Sequence, residues 1–309
     1  MIDISSKFET LREARAEARV KMAESTVEAV RKGRVPKGNV LEIARVAAVM
    51  AAKKTSELIP FCHPLPVDFV GIDYEMKKNE IAIRSEVRSI WKTGVEMEAL
   101  TAVSVAALTV YDMLKPLDKG LVIERIVLLE KKGGKSDFQD QFPKPLKTGV
   151  LVISDSTFKG KRKDKSGEII RNRLKEYPII LEEFKILPDD KEIISKEVIR
   201  LSDKQKLDII ITTGGTGLGP KDVTPEATKE VLDRIVPGIT EVMRSFGQKR
   251  TPYAMLSRNL AGVRGKTLII NLPGSSRGAE ESMNSLFPGV LHSMKMIRGG
   301  GHNSSKNKK

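Results

Sequence analysis

The stretch Ile211-Thr212-Thr213-Gly214-Gly215-Thr216-Gly217, followed by Asp222-Val223-Thr224-Pro225-Glu226, sets the fold of the second half of the chain. An apolar strand runs into a glycine-rich turn, then a loop, then a helix whose expected N-cap is Thr224, with Pro225 at the first helical position. Glycines let backbone N–H groups approach an anion closely, and the threonine hydroxyls add donors. The spacing is neither that of a Walker loop nor GxGxxG. A tight strand-to-helix turn explains the glycines equally well, and Asp222 suits a helix N-terminus by charge alone.

Outward from this turn, apolar strand runs are expected at 149–154, 179–187, 208–213 and 267–272. Helical patterns lie at 167–176, 190–201, 224–235, 239–247, 277–286 and 289–297. Alternating strands and helices with unbroken apolar strands predict an α/β unit, a mostly parallel sheet with helices on both faces. Such sheets bind ligands beyond the carboxyl ends of their strands. Ser154 and Asp155 end one strand, Asp189 another, and Pro273, Gly274 and Ser275 a third. Together with Thr213 and the glycine turn they predict a nucleotide or phosphate pocket, with Asp189 and Asp222 available for a magnesium ion.

The first half is organised differently. Ala14, Ala16, Ala18, Val20 and Met22 alternate with Arg15, Glu17, Arg19 and Lys21. Composition favours a helix and the period of two favours a strand; the period decides. Helices at 25–32, 39–58 and 95–114 and strands at 67–76, 80–90 and 121–130 complete the order β-α-α-β-β-α-β. An α+β unit follows, an antiparallel sheet of ferredoxin-like type with helices on one face. The polar, lysine-rich stretch 131–147 reads as a seam. The expected division is 1–136, a linker at 137–147, a second domain at 148–302 and a polar tail at 303–309.

Single residues of the first half are quieter. Cys62 and His63 stand between prolines in Phe61-Cys62-His63-Pro64-Leu65-Pro66, with no further Cys/His spacing for a metal. A rigid loop with a buried thiol accounts for them. Glu96 and Glu98, flanking Met97, suit a helix N-terminus. Asp112 and Lys115 share a helical face, either as a surface ion pair or as an acid/base pair.

With 309 residues, 40% hydrophobic and 30% charged, two domains with real cores are expected. The net charge of +14 favours anionic ligands. The cations are dispersed among acids and aromatics are only 5%, which speaks against nucleic acid. No run approaches the roughly 18 to 20 unbroken apolar residues of a membrane span. A single cysteine and a polar N-terminus point to the cytoplasm.

Residues 149–302 resemble the molybdopterin adenylyltransferase family, through Ile153-Ser154-Asp155, Leu187-Pro188-Asp189, the glycine turn, Asp222 to Glu226, Leu272-Pro273-Gly274 and the final Gly299-Gly300-Gly301-His302. The resemblance implies transfer of AMP from Mg-ATP to the terminal phosphate of molybdopterin in a trimer, with Asp189 and Asp222 as functional carboxylates. The glycine turn and residues 273–275 would hold pterin and nucleotide phosphates. The same module occurs in molybdenum-insertion proteins and competence-damage-type pyrophosphatases, so a pterin-binding, assembly or pyrophosphatase role stays open.

Residues 2–138 resemble cyclic pyranopterin monophosphate synthase, through Leu11 to Ala18, Cys62-His63-Pro64-Leu65, Gly94 to Leu108, Tyr111-Asp112-Met113 and Lys132 to Ser136. That resemblance implies conversion of a cyclised dihydroguanosine triphosphate to the cyclic pyranopterin with loss of pyrophosphate, without a cofactor. Lys37, Asp112 and Lys115 would be the acid/base residues. Phe61, Cys62, His63, Glu96, Met97 and Glu98 would shape the pocket, and Arg12 and Lys53 would neutralise the triphosphate. Hexamers with pockets between subunits are implied. Asn39 stands where the family usually has Asp, and Phe61 where Leu is common. The two reactions are not consecutive, since sulfur is added between them.

Overall fold

The computed structural model describes residues 1–300, and the final Gly301, His302 and tail 303–309 lie outside the described residues. The chain divides into two compact units, Met1–Asp137 and a second beginning at Phe138.

The first unit comprises β1 (Thr10–Lys21), α1 (Glu24–Arg31), α2 (Val40–Lys53), α3 (Thr55–Leu58), β2 (Phe69–Met76), β3 (Glu80–Trp91), α4 (Glu96–Leu114) and β4 (Val122–Lys132). Its sheet has the order β2-β3-β1-β4, antiparallel throughout. The period of two in β1 prevails over its helix-favouring composition because tertiary burial outweighs propensity. Ala14, Ala16, Ala18 and Val20 are buried beneath α2 and α4. Their small side chains meet Ala99, Ala102, Ala106 and Ala107 of α4, so helix and sheet approach closely. The opposite face of β1 carries charge: Glu17, almost fully buried, is gripped by Arg19 and Arg84, each at 2.8 Å.

Helix α4 is the one described helix long and apolar enough to cross a membrane. Its packing in the core accounts for that composition, since ten of its residues are buried. The helix expected over 39–58 breaks at Lys54, leaving α3 as a single extra turn.

The second unit comprises β5 (Leu146–Ile153), α5 (Asp155–Phe158), α6 (Ser166–Leu174), β6 (Ile179–Leu187), α7 (Lys191–Ile199), β7 (Ile209–Thr213), α8 (Thr224–Val231), β8 (Arg234–Ile235), α9 (Pro237–Gln248), β9 (Ala261–Arg264), β10 (Thr267–Leu272), α10 (Ser276–Leu286) and α11 (Ser293–Ile297). The sheet order is β6-β5-β7-β10-β9-β8. Its first four strands are parallel, as expected, and β9 and β8 extend it antiparallel. Ile209 and Ile211 pack beneath α6 and α10 on one face, while Ile210 faces α7 and α8 on the other. Burial on both faces is why these strands lack alternation. Each such isoleucine contributes about 2–3 kcal/mol through burial.

Three expectations need correction. The helix placed at 224–235 ends at Val231, and residues 234–235 form an edge strand. That short pairing has no period of its own to betray it. Thr224 does not cap α8. It is the first helical residue, fully buried, and its hydroxyl donates to the Gly214 carbonyl at 2.9 Å, which shifts Pro225 one position inward. Within the seam, Asp140 accepts from Lys295 at 2.5 Å and pairs with His292 at 2.8 Å, so part of it is tied to the second unit.

Candidate functional site

In the second unit the carboxyl ends of β5, β6, β7 and β10 meet at one cleft of about 390 Å3. Ser154, Asp189, Thr213, Gly214, Gly215, Asp222, Gly274 and Ser275 all line it, which brings eight expected residues together. Gly214 adopts φ +101°, and a Cβ there would lie 2.1 Å from the Ile153 carbonyl oxygen. A Cβ on Gly215, at φ +62°, would meet the Thr224 hydroxyl at 2.3 Å and Asp189 at 3.1 Å. Glycine is therefore demanded twice, by backbone conformation and by close approach. The Thr213 hydroxyl donates to the Pro273 carbonyl at 2.8 Å, joining the glycine turn to the turn after β10. Ser275 caps α10, accepting from the Gly278 N–H at 3.1 Å, so the positive end of that helix borders the cleft.

The acidic side of the cleft is built from two strand ends. The Asp155 N–H donates to Asp189 Oδ2 at 2.8 Å, and the Asp189 N–H donates to Asp155 Oδ1 at 3.3 Å. Lys221 lies 3.1 Å from Asp155 and, with the Asp189 N–H, holds that carboxyl below its ordinary range. Burial pushes the Asp189 carboxyl up, and the charges of Asp155 and Asp222 add to the push. Asp222 accepts from the Gly219 N–H at 2.8 Å.

Among the described residues no cluster of three or more His, Cys, Asp or Glu could hold a metal unaided. Two carboxylates beside the glycine turn do suit magnesium, which keeps most of its shell for water and substrate phosphates. The raised carboxyl of Asp189 is the observation that fits, since burial without a cation penalises its charge.

Four expected residues, Asp155, Thr216, Gly217 and Pro273, stand outside the lining and shape it from behind. Thr216 is buried with its hydroxyl 3.3 Å from that of Ser257. Sequence reasoning missed Arg258, which donates to the Gly217 carbonyl at 2.7 Å and to the Asp222 carbonyl, fixing the loop between them. It also missed the wall formed by Arg162, Lys163, Asp164, Lys165 and Ser166. The signal was present as a basic run, residues 159–165, one short helix beyond the end of β5.

In the first unit the expected residues form two groups. Lys37 Nζ lies 2.7 Å from Asp112 Oδ2, and Lys115 Nζ lies 2.7 Å from Asp112 Oδ1. Hydrogen bonds from Lys115 and Lys37 hold the Asp112 carboxyl down to about 2. Lys115 is raised in turn by Asp112. Asp112 is thus ionised at neutral pH, with a charged lysine on each oxygen. A carboxylate held this low is a weak base, and what the arrangement provides is two ammonium groups ordered on one anion, each a potential proton donor.

The second group gathers at the other end of α4. The Cys62 thiol donates to Glu98 at 3.5 Å. Burial and Glu98 push the thiol up to about 11, which favours its protonated form at neutral pH. Glu98 is almost fully buried, its carboxyl raised by that burial, and its Oε2 has no hydrogen-bond partner among the described residues. Arg12 donates to the carbonyls of Trp91 and Lys92 at 3.2 and 3.4 Å, within the field of Glu96. Glu96 pairs with Lys131 at 3.3 Å. His63 lies 2.8 Å from the Ile2 carbonyl. Phe61 and Met97 are exposed, and Lys53 stands at the exposed end of α2. Glu98 and Asp112 are fourteen positions apart on one straight helix, which separates them by roughly 20 Å. Within one chain the two groups cannot close on one small substrate.

Comparison with known proteins agrees with this division. Residues 1–134 match the MoaC family, and residues 149–292 match a probable molybdopterin binding domain. The molybdenum cofactor biosynthesis bifunctional protein of Chlorobaculum tepidum is 41% identical over 302 residues, covering 98% of this chain and 96% of its own. The cyclic pyranopterin monophosphate synthase of Thermomicrobium roseum is 54% identical over 138 residues, covering 44% of this chain and 83% of its own. Among solved structures, the molybdopterin biosynthesis enzyme MoaB of Thermus thermophilus is similar at 45% identity and a TM-score of 0.48, covering 50% of this chain and 97% of that one. Both halves, in this order, are matched end to end, and the chain belongs to the family of bifunctional molybdenum cofactor biosynthesis proteins.

Proposed function

We propose that the two halves catalyse two separate steps of molybdenum cofactor synthesis. The N-terminal half converts cyclised 7,8-dihydroguanosine 5'-triphosphate to cyclic pyranopterin monophosphate and pyrophosphate. The observation that carries this is the Lys37–Asp112–Lys115 cluster, a carboxylate that orders two ammonium donors. The Cys62–Glu98 group with Arg12 supplies the remainder of the pocket, contributed by a second copy of the chain. The separation of the two groups along α4 supports a subunit-interface site, as do the exposed apolar residues Ile43, Val46 and Met50 of α2. Hexameric N-terminal and trimeric C-terminal assemblies belong to this reading.

The C-terminal half adenylylates molybdopterin with Mg-ATP. The pterin's terminal phosphate oxygen attacks the α-phosphorus of ATP, forming a new O–P bond. The bond to the β-phosphate breaks, and pyrophosphate leaves with the electron pair. The carrying observation is the pairing of Asp189 and Asp222 with the glycine turn and the α10 N-terminus around one cleft. Magnesium, when bound, would offset phosphate charge at that acidic side. Asp189 and Asp222 would hold the ion, while Gly214, Gly215 and Ser275 orient the phosphates. The cytoplasm, where these substrates meet a single free thiol, is the compartment this reading implies.

The test is adenylylation of molybdopterin with Mg-ATP, followed by mass spectrometry, in wild type and Asp222→Asn. Product from wild type and none from the folded variant is expected. A wild-type protein that binds molybdopterin without turnover would reduce this half to a pterin-binding module.

A further inference from the structure

The cleft that holds Asp189 and Asp222 is also lined by a basic segment. After β5 the chain turns through α5 and runs from 159 to 166 as Lys-Gly-Lys-Arg-Lys-Asp-Lys-Ser. Arg162, Lys163 and Lys165 from this segment line the cleft. Among the described residues none of the three has an ion-pair or hydrogen-bond partner through its side chain, although most cations elsewhere in this unit are paired.

The segment is anchored at both ends. Lys161 N–H donates to the Ser156 carbonyl at 2.9 Å. Asp164 Oδ1 accepts from the Gly167 N–H at 2.9 Å, while its Oδ2 is buried with no hydrogen-bond partner among the described residues, so one carboxylate stands among the cations that line the cleft. A Cβ on Gly167 would lie 2.5 Å from Val152 and 2.3 Å from Asp164 Oδ2, so glycine lets the segment lie against β5. Three unpaired cations are thereby held at the rim of a phosphate-binding cleft. Gly214, Gly215 and the α10 N-terminus already offer one anion site in the same cleft, so with these cations the cleft holds places for two adjoining phosphates. A phosphoanhydride of three or four charges matches it.

We propose that Arg162, Lys163 and Lys165 form a strap that binds the β,γ-phosphate pair of the nucleotide and holds the pyrophosphate as it leaves. The identity of that nucleotide rests on the adenylyl-transfer reading. The anion chemistry rests on the cleft itself. Neutralising the departing oxygens favours cleavage of the α-phosphorus bond and separates the triphosphate end from the pterin phosphate.

The experiment uses the full chain and a readout resolved by site, because the N-terminal half also handles pyrophosphate. Hydrogen-exchange protection of residues 154–166 and 213–224 is titrated with magnesium pyrophosphate and, separately, with inorganic phosphate. Wild type is compared with Arg162→Ala/Lys163→Ala/Lys165→Ala and with Lys196→Ala/Lys229→Ala/Lys266→Ala, which removes the same charge outside the cleft. The strap variant should raise the apparent Kd for pyrophosphate roughly a hundredfold while leaving that for phosphate within about threefold. The second variant should stay within about threefold for both ligands. Equal loss in both variants would overturn the strap in favour of the general positive field. Equal loss of phosphate and pyrophosphate would overturn the phosphoanhydride assignment, as would unchanged affinity or no protection in wild type. Adenylylation separates the two readings. Product in wild type with protection unaffected by the strap variant sinks the strap alone. Strap-dependent protection without any adenylylated product sinks the adenylyl-transfer reading and leaves the strap.

Discussion

The two halves place their reactive groups in opposite ways. In the second unit four parallel strands deliver their carboxyl ends to one edge, so residues from positions 154 to 275 meet in one cleft. In the first unit the sheet is antiparallel, and the candidate site residues sit at the two ends of α4. A parallel sheet with crossover helices builds a site from one chain. An antiparallel sheet with helices on one face scatters loops to both edges, and on the reading proposed above a second copy brings them together.

Removing the central carboxylates should have the largest effects. Asp112→Asn should lower cyclic pyranopterin formation by about a thousandfold, with adenylylation unchanged in the same preparation. Loss of both activities would contradict the independence of the halves.

Mixing variants breaks the comparison most directly. Asp112→Asn and Glu98→Gln, each inactive in the N-terminal reaction, should together recover about a quarter of wild-type activity when subunits exchange within a two-fold dimer. Asp189→Asn mixed with Asp222→Asn should recover no adenylylation, because both residues belong to one chain's cleft. The reverse pattern would refute the assignment of self-contained and shared sites.

Gly215→Ala should cost about 1–3 kcal/mol of folding stability, read by denaturant titration, because a Cβ there meets Thr224 at 2.3 Å. Its adenylylation should fall with it. At Asp189 the sign is opposite. Its folded carboxyl is raised by burial, so its charge destabilises the fold at neutral pH and that loss is recovered as pH falls through the raised value. Asp189→Asn should therefore melt at or above the wild-type temperature at neutral pH, with the advantage vanishing in acid. A clear drop in Tm would show that the carboxylate is held by something stronger than its neighbours here. Smallest of all, Asn39→Asp should change stability by only a few tenths of a kcal/mol, since Asn39 already caps α2 by accepting from Glu42 N–H at 3.3 Å.

Legibility followed the range of the interaction that fixes each element. The strand in β1 was readable because burial of every second residue writes itself into the sequence as a period. The glycine turn was readable because positive φ and close backbone approach exclude other residues. The edge strands β8 and β9 were not, since two- and four-residue pairings leave no period. Arg258 was equally silent, as its partners Gly217 and Asp222 lie far along the chain.

By itself the sequence determined the two-unit plan, the parallel and antiparallel characters of the sheets, and the carboxylates beside the glycine turn, because local periodicity and backbone sterics act within a few residues. Only the tertiary structure decided that Thr224 braces Gly214 instead of capping a helix, and that the Lys37 ammonium sits 2.7 Å from Asp112. It also brought residues 162–165 into the same cleft as Asp189. Those outcomes depend on contacts between segments distant in the chain, which no local pattern encodes.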